Sequence, residues 1–89
     1  MADVGPRQRA SILRYASHQL PLDDRADPAL VITAARPLLE FAGQASDDED
    51  LEVRMAAMGR QDQNTTRPES PEEFTSQARI LYAFLTGGA

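Results

Sequence analysis

Few side chains in this sequence are of the types that do chemistry, and they are scattered. His18 is the single His, with no Cys or Asp at ligand spacing, and the complete lack of Cys removes disulfides, thiolate metal sites and thiol nucleophiles. Ser11, Ser17, Ser46, Ser70 and Ser76 include no Gly-x-Ser-x-Gly nucleophile elbow. The acidic run from Asp47 to Glu52 could attract a hard cation. It lacks the alternating acids, central Gly and distant Glu of an EF-hand loop, so it reads as a solvated helix start. No catalytic residue, cofactor site or metal site is expected, and the chain is read as a non-enzyme.

The remaining chemical candidates are cationic. Arg7, Arg9 and Arg14 give the first twenty residues a net charge of +2, while the chain as a whole carries −5. They could contact phosphate. The body behind them is acidic, so long-range repulsion from a nucleic-acid backbone disfavours such binding. All nine basic residues are Arg, which fits the codon bias of a GC-rich bacterial or phage genome.

These residues must be positioned by a small structure. At 89 residues the chain is a single domain, and 14 of its apolar residues are Ala, so its core is thin. Two Ser-led signatures, Ser46-Asp47-Asp48-Glu49 and Ser70-Pro71-Glu72-Glu73, have the form of a capping box: the Ser oxygen accepts from an N–H three residues on and the Glu reaches back. Asp27-Pro28 repeats the cap-then-proline pattern, and Pro6 suits an opening helical turn.

Apolar spacing between these signals predicts four helices, over about residues 6–20, 28–42, 47–60 and 71–86. The first presents Ile12, Leu13, Ala16 and Leu20, with Tyr15 at the margin. The second presents Leu30, Ala34, Leu38 and Phe41, and should kink or break at Pro37. The third has a thin stripe of Leu51, Met55 and Met58. Residues 1–5 and 87–89 are expected to fray, and 61–69, without a large apolar side chain, to form a mobile loop. The fold class is all-α, a bundle of four helices centred on the second and fourth.

The fourth helix carries more apolar surface than one stripe requires. Beyond Phe74, Ala78, Leu81 and Leu85, it adds Ile80, Tyr82 and Phe84. That excess motivates the leading functional expectation, a small adaptor or regulator that binds another protein or itself through Phe74, Leu81, Tyr82, Phe84 and Leu85. The alternative is a nucleic-acid-linked regulator, either contacting DNA through Arg7, Arg9 and Arg14 or mimicking DNA with its acidic body.

Four helices, an acidic composition and this length also describe acyl carrier proteins. The resemblance stops at the residue that matters: those proteins carry their arm on a Ser in an Asp-Ser-Leu context, while Ser46 lies between Ala45 and Asp47. Gly87-Gly88 reads as a helix stop rather than a modifier tail. The start lacks a secretory h-region and no stretch approaches a membrane span, so a cytoplasmic location is expected.

Overall fold

The computed structural model of the chain describes residues 3–64 and 69–88. Helix α1 spans Pro6–Ser17 and is followed by a 3-10 turn, Leu22–Ala26. Helix α2 spans Pro28–Gly43, α3 Asp48–Asn64 and α4 Pro71–Leu85, with no strand among the described residues. The expected four-helix, all-α architecture is thus the one observed.

Local chemistry sets most of the boundaries. Pro6 and Pro28 occupy first-turn positions, and the Asp27 carboxylate accepts from the Ala29 N–H at 3.0 Å. Ser70 Oγ accepts from the Glu73 N–H at 3.1 Å, as its spacing predicts. The α3 start is displaced by one residue from the expected box. Asp47, not Ser46, caps the helix by accepting from the Asp50 N–H at 2.7 Å, and the Asp50 carboxylate reaches back to the Ser46 N–H at 2.9 Å. The chain is still leaving α2 at that point, for the fully buried Ala45 donates its N–H to Ala42.

Other boundaries depart from expectation for identifiable reasons. Helix α1 ends at Ser17 because the Gln19 and Leu20 N–H groups bond three residues back, tightening the chain before Pro21. Helix α2 runs unbroken through Pro37. The carbonyl that Pro37 cannot bond belongs to Thr33, which lies on an exposed face where water can take its place. Gly43 is inside α2, one residue past the expected end. Residues 61–64, expected in a mobile loop, extend α3 by a turn; residues 65–68 of that stretch lie outside the described residues. Residues 1, 2 and 89 of the stretches expected to fray lie outside the described residues, while their described neighbours make contacts. Val4 packs against the core and its carbonyl accepts from Arg9 Nε at 3.1 Å, while Gly87, at φ +81°, turns the chain so that the Gly88 N–H reaches Ala83 O.

The helices pack as two pairs. Helix α1 lies principally along α2 and α3 principally along α4, and α2 contacts all three others. The core between them contains Ile12, Tyr15, Leu38, Phe41, Leu51, Met58 and Phe74, with Ala16, Ala34, Ala35, Ala42, Ala45 and Ala78 filling the close approaches. The thin stripe of α3 is well used: Leu51 and Met58 are buried with Ala57, and the packing of α3 with α4 is the most extensive among the described residues. Among the described residues, every buried side-chain nitrogen or oxygen has a hydrogen-bond partner, and no helix is long and apolar enough to cross a membrane.

Candidate protein-docking surface

The α4 residues proposed to meet a partner divide into two groups. Phe74 belongs to the interior: it is fully buried and stacks on Tyr15, ring centroids 6.5 Å apart, so it is removed from any monomer surface. Tyr82 is half-buried and engaged. Leu81, Phe84 and Leu85 line a groove of about 330 Å³ together with Ala56 and Arg60 of α3. Phe84 is 68% exposed, Leu85 51% and the neighbouring Ile80 61%. These are large values for apolar side chains on an ordered helix.

A polar clamp fixes α4 behind this groove. Asp50 and Arg54, one turn apart on α3, pair at 3.2 Å, and the Tyr82 hydroxyl donates to the other oxygen of Asp50. Arg54 also donates to the Tyr82 hydroxyl at 3.4 Å and to the carbonyl of Phe41 at 3.0 Å, placing a cation at the carbonyl end of α2. Its guanidinium lies 4.4 Å from the centroid of Tyr82 and 4.9 Å from that of Phe41, and the two rings meet edge to face at 5.8 Å. Arg79 of α4 covers Phe41 at 5.0 Å and reaches Gln44. One cluster therefore joins α2, α3 and α4.

The electrostatics follow from these bonds. The Tyr82 hydroxyl, the Ser46 N–H and Arg54 together hold the Asp50 carboxyl down at about 2. The same bond to Asp50, helped by burial, raises the Tyr82 hydroxyl above its usual range against the opposing pull of Arg54. The cluster is a carboxylate, a guanidinium and a neutral phenol in their most stable protonation states at neutral pH. It is built to hold three helices in place.

A second apolar groove, of about 320 Å³, lies between α1 and α2. Ile12, Leu13, Ile32, Ala35 and Leu39 line it, with Arg9 and Arg36. Leu13, expected in the core, is 40% exposed here and Ile32 47%, whereas Tyr15, expected at the margin, is buried. Leu30, also assigned to the core face, is 42% exposed. Sequence reasoning missed this groove because the α1 stripe can be drawn through Leu13 or through Tyr15, and only the position of Phe74 selects the latter. Ala56 and Arg60 were missed in the α4 groove for a similar reason: nothing local says which α3 face meets α4.

The candidate phosphate contacts separate. Arg9 lines the α1–α2 groove, and its Nε is committed to Val4. Arg7 lines a different cleft, between α1 and α3, in company with Glu52. Arg14, seven residues after Arg7 and so on its face of the helix, lies over the Tyr15 ring at 5.3 Å. The three therefore do not form one cationic patch. His18 pairs with Asp62 of α3 at 2.8 Å, and among the described residues no three His, Asp or Glu side chains converge to hold a cation. Comparison with family models, with curated proteins and with solved structures finds no match for this chain.

Proposed function

We propose that this chain is a non-enzymatic interaction module that docks a protein partner on α4, with Phe84 and Leu85 as anchors, Leu81 and Ala56 as floor and Arg60 as a polar rim. The supporting observation is Phe84: an aromatic side chain 68% exposed beside an apolar groove, on a helix whose opposite side is held by the Asp50–Arg54–Tyr82 clamp. A rigid helix face with a projecting aromatic residue loses little conformational entropy on binding. Phe74 contributes to the fold rather than to docking, and Tyr82 positions the helix.

The test is affinity capture from a lysate of the source cell, with and without nuclease, using the native chain and Phe84→Asp. The proposal requires a nuclease-resistant protein partner that Phe84→Asp loses by at least about tenfold, since anchor truncation commonly costs 2 kcal/mol or more. Capture that is nuclease-sensitive and indifferent to Phe84 would instead favour the nucleic-acid alternative. That reading has less support, because Arg7, Arg9 and Arg14 are divided between two sides of α1.

A further inference from the structure

The two apolar surfaces of the molecule differ in a complementary way. The α1–α2 groove has an apolar floor, Leu13, Ile32 and Leu39, and its charged lining residues, Arg9 and Arg36, are both cationic. Among the described residues neither arginine takes part in an ion pair. In a chain of net charge −5, a groove lined only by positive charge calls for an acidic, apolar occupant.

Helix α4 has that character on its outward side. Glu73, Gln77, Ile80 and Phe84 recur at intervals of four, three and four residues, which stacks them in one stripe, and all four are exposed. The stripe is acidic at its N-terminal end, where Glu72 is exposed beside Glu73, and apolar at the other. Neither glutamate is in an ion pair among the described residues. The lengths also agree: α4, with 15 residues, is about 22 Å long, against about 18 Å for the 12 residues of α1 and 24 Å for the 16 of α2.

We infer that the occupant of the α1–α2 groove is α4 of a second copy of this chain, seated by Ile80 and Phe84 on Leu13, Ile32 and Leu39, with Glu73 directed to Arg9 and Arg36. This inference rests on the reading of α4 as a docking helix and names its partner. Helix and groove are different surfaces of the same molecule, so each contact pairs unlike patches. Two copies can exchange helices about a two-fold axis, and where they do not, each added copy presents a fresh groove and a fresh helix that extend a ring or an open chain. A single helix in a groove buries on the order of 1,000 Å², the range of weak, concentration-dependent association.

Sedimentation velocity from micromolar to millimolar concentration, on the native chain and on two surface variants, tests this. Phe84→Asp removes the helix anchor and Ile32→Asp spoils the groove; both positions are exposed, so the fold is retained. The native chain should associate to a dimer or larger assembly with concentration, and each variant alone should remain monomeric. An equimolar mixture should form a one-to-one dimer and nothing larger, because one intact helix then meets one intact groove. Arg36→Glu and Glu73→Arg, which disturb no apolar packing, should each weaken association about fivefold and restore it when mixed.

A native chain that stays monomeric, or a mixture that yields no dimer, overturns the inference. A two-fold α4 to α4 contact overturns it in another way: Ile32→Asp, whose α4 is intact, would then dimerise on its own. If the native chain is monomeric yet captures a different protein that Phe84→Asp loses, the docking function stands and self-assembly alone fails. If Phe84→Asp affects neither measurement, both fail.

Discussion

The α1–α2 and α3–α4 pairs solve the same packing problem with different chemistry. Along α1 and α2, Ala16, Ala34, Ala35 and Ala42 are buried, and among the described residues no side-chain hydrogen bond crosses from one helix to the other. On the α3–α4 side only Ala57 and Ala78 are buried alanines, and the join is made by the Asp50–Arg54–Tyr82 cluster. Small residues let helix backbones approach closely and depend on shape alone. The polar clamp also depends on protonation, so the two halves should respond differently to volume and to pH.

Phe74→Ala is expected to have the largest effect, because Phe74 joins the halves by packing on Tyr15. It should cost about 3–5 kcal/mol, a large share of the roughly 5–10 kcal/mol available to such a domain, seen as a much lower urea midpoint. Arg54→Met comes next, at about 2 kcal/mol, since it strands the Phe41 carbonyl and leaves Asp50 without its cation. Ala42→Leu, the matching insult within α2, should cost a similar amount, about 1–3 kcal/mol, by overpacking. The contrast lies in pH: Ala42→Leu should leave the pH profile of stability unchanged, whereas variants of the clamp should alter it.

The sign of that change follows from Asp50. Its carboxyl sits at about 2 in the folded chain, against about 3.9 for an unfolded aspartate. The lower folded value means that its stabilising contribution is complete above about pH 4 and is lost as the pH falls towards 2. Urea midpoints of Asp50→Asn should therefore decline less between pH 5 and 2 than those of the native chain, while being lower at neutral pH. Tyr82→Phe should cost about 1 kcal/mol through the lost hydrogen bonds. At the small end, Phe84→Asp should change the folding free energy by no more than about 0.5 kcal/mol, because its side chain meets mostly solvent. A large loss would mean that Phe84 supports the fold and would undercut its role in docking.

How much was legible in the sequence divides along the same lines. Caps at Asp27 and Ser70 were readable because residue type, a following proline and a short-range bond contain the whole signal. The α3 cap was misread by one residue because Ser46 and Asp47 offer overlapping boxes, and the choice depends on where α2 releases the chain at Ala45. Which residues of an apolar helix face inward was less readable. Phe74 and Phe84 look alike in α4, and only the seat on Tyr15 separates core from surface. Arg54 stands four residues after Asp50 in the first half of α3, a spacing that puts the two on one helix face. Its reach to the end of α2 is a tertiary fact that no local pattern encodes.

Gln19 has a consequence for the order in which the chain becomes native. Its side chain, 4% exposed, donates to the Tyr15 carbonyl and accepts from the Glu69 N–H at 3.0 Å, joining residues fifty positions apart. Closing so long a loop is entropically expensive and can be recovered only when α1 and the start of α4 are both in place. The Glu69 amide is thus a natural reporter: its deuterium exchange should slow only when the whole chain is assembled, and it should be among the first to quicken when α4 detaches.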